Sequence, residues 1–193
     1  MKIRLRTILN HNFYGRLVMR QLIGITGLMG SGKSVAAAHL TEKYGFVHMS
    51  ISSKMREISQ ELDLEITRDL LQGIGKFFRK FDEDVWIKYL VKKIQASSDS
   101  IVVDDIRRRN ELDLLKSLGF IFIRIESSSK VRKMRIETRM NKKIPVQDWR
   151  RWAKHLTEIQ VTQLPVDYTI KNNGTMKELK DKIDKIINRL QSN

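Results

Sequence analysis

Residues 27–34 read Gly-Leu-Met-Gly-Ser-Gly-Lys-Ser and match the spacing G-x-x-x-x-G-K-S. An apolar segment, Gln21–Thr26, precedes them, and an alanine-rich segment that suits a helix from about Lys33 to Tyr44 follows. In this strand–loop–helix context the glycines let the backbone wrap around a phosphate with its N–H groups pointing inward. The helix N-terminus adds a partial positive charge. The segment therefore predicts a nucleoside triphosphate site.

This loop supplies most of the predicted ATP-binding residues. They are Gly27, Leu28, Met29, Gly30, Ser31, Gly32, Lys33 and Ser34. Lys33 is expected to reach the β and γ phosphates, and the Ser34 hydroxyl is expected to bind Mg²⁺. ATP and Mg²⁺ are therefore the predicted cofactors.

Composition excludes several other classes of protein. The chain has 193 residues and no cysteine, which rules out a disulfide scaffold, cysteine-ligated zinc and thiol catalysis. No window approaches about eighteen consecutive apolar residues, so no membrane span is predicted. The four histidines show no metal-ligand spacing, and no zinc site is predicted. We expect a cytoplasmic protein, with organelle targeting by residues 1–20 as an alternative and the oligomeric state left open.

The formal net charge of +15 is concentrated in two places. Residues 1–20 contribute +5, and residues 127–155, here called the basic segment, contribute +8. Such runs are either solvated surfaces or binding sites for a polyanion, which can be nucleic acid or the phosphates of a small substrate. A nucleic-acid binder more often spreads its basic residues over the whole domain. Nucleic acid is therefore a partner that the sequence allows but does not favour.

Short apolar runs alternate with helical patterns from residue 21 onward. The predicted strands cover residues 21–26, 46–50, 101–105, 120–125 and 166–171. The predicted helices cover about 33–44, 52–62, 67–80, 83–96, 108–118 and 175–190, with two more in 127–155 that are broken at 141–145. This alternation indicates an α/β fold with a parallel sheet covered on both faces. We expect a basic N-terminal extension over 1–20 and one folded domain over 21–193.

The third predicted strand ends in two adjacent acids, Asp104 and Asp105. An acid at the tip of a buried parallel strand beside a phosphate-binding loop suits a Mg²⁺-directed or catalytic carboxylate. Either acid can instead cap the following helix. Both are candidate metal ligands, Asp105 is also a candidate catalytic acid, and the sequence does not say which of the two faces the metal.

The basic segment contains Arg132, Arg135 and Arg139 at spacing i, i+3 and i+7, which places them on one stripe of a helix. Phosphoryl transfer develops negative charge on the moving group, and cationic side chains stabilise that charge. We predict that these arginines are catalytic and that the basic segment forms a helical lid that excludes water. A solvated basic face is the alternative. Trp149 and Trp152 are predicted to anchor the second lid helix by packing rather than to stack on a base.

The phosphate-binding loop leaves the reaction open. A GTPase would carry an Asn-Lys-x-Asp guanine motif, which the sequence lacks. Transporter and AAA-type ATPases usually need a larger domain with additional motifs. At this length, with an arginine cluster late in the chain, a small-molecule kinase is the predicted class of enzyme.

Four further stretches resemble the nucleoside monophosphate kinase superfamily, in particular the branch with phage-type deoxynucleoside monophosphate kinases and dephospho-CoA kinase-like proteins. They are residues 50–57 (SISSKMRE), 67–79 (TRDLLQGIGKFFR), 105–111 (DIRRRNE) and 167–175 (DYTIKNNGT). The third looks like a D-x-R-x-x-x-E element, and the fourth looks like the I-x-N-x-G loop that meets the adenine of ATP. The resemblance runs from about Gln21 to the C-terminus.

This resemblance implies a P-loop NTPase three-layer sandwich whose five-stranded parallel sheet has the order 2-3-1-4-5, with substrate-binding helices at about 50–80 and a lid at about 127–155. It also implies that Arg56, Arg68 and Arg107 hold the phosphate of the acceptor, because guanidinium binds phosphate bidentately. The acceptor-binding residues that it implies are Ser50, Arg56, Arg68, Gln72, Arg107 and Glu111, and those near adenine are Asn173 and Gly174. Arg108 and Arg109 are expected to be solvated.

One departure from the family bears on the acceptor. Dephospho-CoA kinases of the common bacterial type and shikimate kinases carry an Asp-x-Asp after the second strand, where this chain reads His-Met-Ser-Ile-Ser at 48–52. An acceptor that attacks through an ionised phosphate oxygen needs no general base, whereas an alcohol benefits from one. We therefore predict an ATP- and Mg²⁺-dependent phosphotransferase acting on a phosphorylated small molecule, a nucleoside or deoxynucleoside monophosphate. The alternatives are a dephospho-CoA kinase and an ATP-binding nucleic-acid-associated factor.

Overall fold

The computed structural model describes residues 9–11, 17–153 and 156–192 of the chain. Its strands are β1 (Leu9–His11), β2 (Leu17–Met19), β3 (Leu22–Thr26), β4 (Val47–Ser50), β5 (Ile101–Ile106), β6 (Ile121–Glu126) and β7 (Tyr168–Lys171). Its helices are α1 (Lys33–Tyr44), α2 (Ser53–Glu61), α3 (Arg68–Arg79), α4 (Val85–Ala96), α5 (Arg109–Ser117), α6 (Ser129–Met140), α7 (Val146–Ala153), α8 (Leu156–Gln163) and α9 (Met176–Ser192). Most of the predicted N-terminal extension lies outside the described residues.

The five strands β3 to β7 form one parallel sheet in the order β4-β5-β3-β6-β7. Numbered along the chain, this order is 2-3-1-4-5, which confirms the topology implied by the resemblance. The carboxyl ends of parallel strands lie at one edge of the sheet, where ligands bind in open α/β folds. The loop at 27–34, the acids Asp104 and Asp105, and the Asn172–Gly174 turn all occur at this edge.

Helices cover both faces of the sheet and form two separate cores. On one face α1 and α9 pack through small and branched side chains, among them Ala36, Ala37, Leu179 and Ile183. On the other face α4 and α5 pack against the sheet around residues such as Phe122. The fold is therefore the predicted three-layer sandwich. Within the described ranges, each helix is too short or too polar to cross a membrane.

Three elements, β1, β2 and α8, were not predicted from the sequence. The strands β1 and β2 pair antiparallel, with Leu9 opposite Met19. Helix α8 lies between the basic segment and β7, where the sequence analysis placed no helix. Its residues include several β-branched side chains (LTEIQVTQ), which lower helix propensity and weaken the helical signal. At its C-terminal end Val161 and Leu164 are buried, so packing supports a helix that local propensity does not favour.

The α1 helix, which begins in the phosphate-binding loop, is held to α9 by Asp184. The Asp184 carboxylate lies 2.7 Å from His39 Nε2 and accepts hydrogen bonds from Tyr44 Oη at 2.8 Å and Lys43 Nζ at 2.6 Å. Desolvation opposes ionisation of this carboxyl, but the three hydrogen bonds outweigh it and lower the pKa of Asp184 to about 2. This connection between α1 and α9 therefore needs an ionised Asp184.

Replacing Asp184 by Asn should flatten the acid dependence of stability. The ordinary pKa of this carboxyl is 3.8 and its folded value is about 2, so its contribution is present above about pH 4 and is lost as the pH falls towards 2. We expect wild type to lose about 2 kcal/mol more than the variant between pH 5 and pH 2. Urea unfolding of both proteins at pH 5 and pH 2 measures these free energies. An identical acid dependence in the two proteins would show that ionised Asp184 does not stabilise the contact between α1 and α9.

Candidate active site

The loop at 27–34, here called the P-loop, follows a path that requires glycine. Gly27, Gly30 and Gly32 have φ values of 146°, 80° and 111°, which side chains with a Cβ rarely adopt. A Cβ at Gly30 would lie 2.9 Å from the Arg132 carbonyl oxygen, and one at Gly32 would lie 2.5 Å from Asn172 Nδ2. The loop is therefore packed tightly between β3, α6 and the turn after β7.

Lys33 is the first residue of α1, and its ammonium group folds back over the P-loop. Lys33 Nζ donates to the carbonyl oxygens of Gly27 at 2.8 Å and Leu28 at 3.3 Å. The residue is only 9% exposed. Ser34, the next residue, is exposed, so its hydroxyl can reach a ligand at the mouth of the loop.

The carboxyl end of β5 contains a bulge that positions Asp105. Gly24 lies opposite Val103, whereas Thr26 lies opposite Ile106, so β5 has one extra residue over this interval. Within it, Asp105 has a φ of 63°, an uncommon conformation for a residue other than glycine. Bulges and strained residues of this kind often redirect a side chain next to an active site.

The Asp105 carboxylate connects Lys33 of the P-loop to Arg107, the residue that follows β5. Asp105 Oδ1 lies 3.4 Å from Lys33 Nζ and 2.9 Å from Arg107 Nη2. Desolvation opposes ionisation, but the charges of Arg107 and Lys33 outweigh it and lower the pKa of Asp105 below its ordinary value. The side chain is 46% exposed, so this ionised carboxylate also faces the cleft.

Asp104 has a different environment from Asp105. It is buried, lies opposite Ser50 in the pairing of β4 with β5, and its Oδ1 is 3.0 Å from His48 Nε2. The hydrogen bond to Asp104 raises the pKa of His48. The two acids that the sequence analysis could not separate therefore differ: Asp105 contacts Lys33, and Asp104 contacts His48.

The three arginines of the predicted stripe lie on α6 but have different surroundings. Arg132 is buried, donates to the Met29 carbonyl at 3.2 Å and lies 5.2 Å from the centre of the Trp149 ring. Arg135 donates to the carbonyls of Asn172 and Gly174. Both guanidinium groups therefore hold backbone oxygens around the P-loop.

The third of these arginines, Arg139, is exposed and lines a cavity beside the P-loop. Behind the stripe, Ile136, Ile144 and Trp149 form a small buried cluster against which Met29 and Trp152 pack. This confirms the prediction that the two tryptophans are packing anchors for α7. It also ties α6 and α7 to the P-loop through Met29.

Asn172, in the turn after β7, makes the principal contact between that turn and the P-loop. It is buried, and its Nδ2 donates to the Ser31 carbonyl at 2.8 Å. Asn173 is exposed, and its Oδ1 accepts from the Ser128 backbone N–H at 2.8 Å. The sequence analysis assigned Asn173 and Gly174 to ATP and left out Asn172, although Asn172 is the asparagine of the I-x-N-x-G pattern. The approach of Asn172 to Gly32 is a long-range contact that the pattern does not indicate.

The cavity beside the P-loop has a volume of about 560 Å³ and gathers most of the predicted acceptor residues. Those that line it are Ser50, Arg56, Gln72, Arg107 and Glu111, together with Asp105 and Arg139. The side chain of Arg68 lies outside the described part of the structure. Arg108, which was expected to be solvated, also lines the cavity, because the turn before α5 brings it to the same wall as Arg107.

Glu111 makes contacts that the resemblance does not imply. Its Oε2 accepts hydrogen bonds from the backbone N–H groups of Arg107 and Arg108, both at 3.0 Å, and its Oε1 lies 3.6 Å from Arg79 Nη2. Both carboxylate oxygens thus contact the chain itself. The cavity also contains Arg79 and Lys76, which the sequence analysis did not assign to the site, although Arg79 closes the pattern quoted for 67–79.

The residues present fit a Mg²⁺ ion that would be bound together with a nucleotide. Within the described residues no three histidine or acidic side chains form a metal cluster. Mg²⁺ does not require one, since it usually binds through one or two protein groups plus substrate phosphates and water. The exposed Ser34 hydroxyl, next to Lys33 in the chain, and the partly exposed Asp105 carboxylate, 3.4 Å from Lys33 Nζ, would provide oxygen ligands of that kind.

A family model described as "AAA domain" matches residues 23–155. The chain belongs to the AAA domain family. The match includes the P-loop, the acids at the end of β5 and the arginines of α6. The size argument made above against AAA-type proteins therefore does not exclude membership of this family.

Among curated proteins, the chain is 27% identical over 109 residues to an uncharacterized protein of Ictalurid herpesvirus 1 (strain Auburn), covering 52% of this chain and 45% of that protein. The chain thus spans less than half the length of that relative. It is 25% identical over 143 residues to a "Putative deoxynucleotide monophosphate kinase" of Acanthamoeba polyphaga mimivirus, covering 54% of this chain and 73% of that protein. It is 28% identical over 183 residues to a UPF0200 protein of Methanococcus maripaludis (strain C6), covering 87% and 98%.

Among solved structures, the chain is similar to a gluconokinase from Sinorhizobium meliloti 1021, with a TM-score of 0.58 and 18% identity over 90% of this chain and 94% of that one. It is also similar to the shikimate kinase of Acinetobacter baumannii in complex with shikimate, with a TM-score of 0.56 and 17% identity over 89% and 95%. At this identity the likeness shows the fold, which is that of small-molecule P-loop kinases. With the family match it supports a kinase-like P-loop enzyme.

Replacing Asn172 by Ala should destabilise the protein by about 1–3 kcal/mol, because the hydrogen bonds of this side chain to the Ser31 carbonyl and to Arg135 are both lost. The matched change Asn173→Ala removes an exposed side chain of the same kind and should cost less than about 1 kcal/mol. Urea unfolding of the two variants measures the difference. Equal losses would show that Asn172 contributes no more to the P-loop than its exposed neighbour.

Proposed function

We propose that this chain is an ATP- and Mg²⁺-dependent kinase that transfers the γ-phosphate of ATP to a nucleoside or deoxynucleoside monophosphate. Residues 21–193 form the kinase domain, and residues 1–20 form an extension to it. We place the protein in the cytoplasm. The name of the mimivirus relative agrees with this acceptor class. The cavity beside the P-loop supports the same acceptor class through its charge.

The excess of positive charge in this cavity is the main support for the proposal. Its lining includes six cationic side chains and two acidic ones. The cationic residues are Arg56, Lys76, Arg79, Arg107, Arg108 and Arg139, and the acidic residues are Asp105 and Glu111. A concave site with this excess of positive charge concentrates anions, and guanidinium groups match the geometry of phosphate oxygens. We infer that the acceptor carries a phosphate.

The lowered pKa of Asp105 favours the same acceptor class. A general base works best when its pKa is near the working pH, and the charges of Arg107 and Lys33 lower the pKa of Asp105 in spite of desolvation. Asp105 is thus a weak base at neutral pH. An acceptor that attacks through an ionised phosphate oxygen needs no stronger base, whereas an alcohol such as a sugar hydroxyl would benefit from one.

Each part of the site then has a role in phosphoryl transfer. The P-loop amides and Lys33 hold the donor phosphates, and Ser34 with Asp105 or Asp104 would hold Mg²⁺, which neutralises charge on the phosphates when bound. Of the α6 arginines, Arg139 faces the cavity and can approach the transferring group, whereas Arg132 and Arg135 fix the backbone of the loop. Asn173 and Gly174 stay candidates for contact with adenine.

The remaining acceptor residues hold the substrate against the P-loop. Arg56 and Arg107 hold the acceptor phosphate, with Ser50 and Gln72 along the same wall. Arg68 is assigned to this phosphate by the resemblance alone.

The acceptor is identified by measuring ADP release from ATP with Mg²⁺ against nucleoside monophosphates, deoxynucleoside monophosphates and dephospho-CoA, with an oligonucleotide as control. Turnover with a monophosphate supports the proposal, and turnover with dephospho-CoA alone replaces it by that alternative. Oligonucleotide binding that depends on ATP and falls steeply with salt, without any turnover, would favour the nucleic-acid-associated factor instead.

Replacing Lys33 by Ala should lower acceptor-dependent turnover by about 10²-fold or more, since the donor phosphates lose their principal cation. Circular dichroism should show an unchanged fold. Retained turnover in the variant would remove the P-loop from the mechanism.

Replacing Arg107 by Lys should raise the acceptor KM by about tenfold while the KM for ATP changes little, because lysine keeps the charge but loses the bidentate fork. Arg109→Lys is the matched control, since Arg109 is exposed and pairs with Asp113 on the outside of α5. Steady-state kinetics separate the two constants. A similar change in both variants would contradict the placement of Arg107 at the acceptor phosphate.

A further inference from the structure

Arg79, the last residue of α3, is a cavity residue to which nothing above gives a role. Its side chain is 22% exposed and lines the cavity beside the P-loop. Within the described part of the chain, the guanidinium forms an ion pair with Glu111 at 3.6 Å and no hydrogen bond. A guanidinium has five N–H donors, so most of the hydrogen-bonding capacity of Arg79 is left for a ligand in the cavity.

Glu111 is placed to organise the arginines of this wall rather than to contact an acceptor. It is 4% exposed, and one of its carboxylate oxygens receives the two backbone hydrogen bonds from Arg107 and Arg108. The other oxygen faces Arg79. A single buried carboxylate therefore fixes the backbone N–H groups of two cavity arginines, Arg107 and Arg108, and pairs with the guanidinium of a third, Arg79.

The positive charges of this wall oppose each other. Burial lowers the pKa of Arg79, and the charge of Arg108 lowers it further, whereas Glu111 and Glu83 raise it. Glu83 pairs with Arg108 at 3.0 Å, whereas Glu111 pairs with Arg79. Without Glu111, the Arg79 guanidinium would lose the ion pair that holds it at the cavity.

Gly75 provides the space that Arg79 occupies. It lies one helical turn before Arg79 on α3, and a Cβ at Gly75 would lie 3.1 Å from Arg79 Nη1. At Gly73, on the same helix, a Cβ would meet nothing within 4 Å. The side chain of Arg79 is therefore held between the backbone of its own helix on one side and Glu111 on the other.

We propose that Arg79 binds the phosphate of the acceptor together with Arg107, and that Glu111 is a positioning residue that holds this pair of arginines in place. This inference rests on the proposed function, because it assumes that the cavity receives a phosphorylated acceptor. It differs from the role implied by the resemblance, in which Glu111 itself touches the acceptor. The alternative is that Arg79 and Glu111 form a structural ion pair without contact to substrate.

The experiment measures binding of AMP, GMP, CMP and dTMP, and of the matching unphosphorylated nucleosides, by isothermal titration calorimetry. The full chain is first saturated with Mg²⁺ and a non-hydrolysable ATP analogue, so that the P-loop is filled. Comparing each monophosphate with its nucleoside isolates the contribution of the phosphate, which a purely structural role of Arg79 would not change selectively.

For the monophosphate that wild type binds, Arg79→Lys should weaken binding by about tenfold and leave nucleoside binding unchanged. Glu111→Gln keeps an oxygen for the two backbone amides but removes the charge that faces Arg79, and it should weaken monophosphate binding by about three- to tenfold. Asp113→Asn, which breaks the exposed ion pair of Arg109, is the control and should change binding less than about twofold.

Two further variants test the role of Arg79 independently if Glu111→Gln folds poorly. Gly75→Ala moves the tip of Arg79 and should weaken monophosphate binding, whereas Gly73→Ala on the same helix should not. In an Arg79→Ala background, Glu111→Gln should have no further effect, since glutamine keeps the oxygen that accepts from the Arg107 and Arg108 N–H groups and loses only the charge that faces Arg79.

The outcomes separate this inference from the proposed function. Unchanged phosphate selectivity in Arg79→Lys and Gly75→Ala, or additive effects of Arg79→Ala and Glu111→Gln, would overturn the role of Arg79 while the kinase activity stands. Selective binding of a monophosphate through Arg79 without any turnover would support the role of Arg79 and contradict the proposed function. Failure of wild type to bind any monophosphate would overturn both.

Discussion

The contact of one carboxylate oxygen, Asp105 Oδ1, with Lys33 on one side and Arg107 on the other determines how the rest of the site is arranged. Lys33 belongs to the P-loop and Arg107 to the cavity wall, and both lie within 3.4 Å of this atom. The contact depends on the bulge at the end of β5, where Asp105 adopts a φ of 63°. A regular strand would place this side chain elsewhere. The proposed donor and acceptor halves of the site therefore meet at a strained residue of a buried strand.

A second set of contacts holds the P-loop from the opposite side. Arg132, Arg135 and Asn172 bind carbonyl oxygens of the loop and of the turn after β7. Hydrogen bonds from charged donors to backbone carbonyls are stronger than neutral ones, so α6 and β7 together stabilise the conformation that the three glycines allow. The same contacts explain why a stripe of arginines on one helix does not act as a single unit: two of them support the loop, and Arg139 alone of the three lines the cavity.

Much of this arrangement could be predicted from the sequence, because the strongest signals are local. The P-loop motif, the alternation of strands with helices and the resemblance to a kinase superfamily predicted the sheet order, and they identified Arg56, Gln72 and Arg107 as residues that line one cavity. The tryptophans of the basic segment pack as predicted. Each of these inferences used residues close together in the chain or a pattern with a fixed spacing.

The contacts that could not be predicted join distant segments. Asn172 meets Ser31 across 141 residues of chain. The I-x-N-x-G pattern contains Asn172, but the pattern does not show that this side chain binds the P-loop backbone. Glu111 is occupied by the backbone of its own helix start and by Arg79, which a motif cannot reveal. Helix α8 was missed because its residues have weak helix propensity, and packing compensates for it.

The measurement that tests the central claim most directly is a single-turnover reaction with ATP labelled in the γ-phosphate, Mg²⁺ and each monophosphate in turn. The label should move from ATP to a nucleoside diphosphate with at least one monophosphate, at a rate well above the formation of labelled inorganic phosphate. Label that stays on ATP, or that appears only as inorganic phosphate whichever monophosphate is present, would contradict the assignment of the cationic cavity to a phosphorylated acceptor.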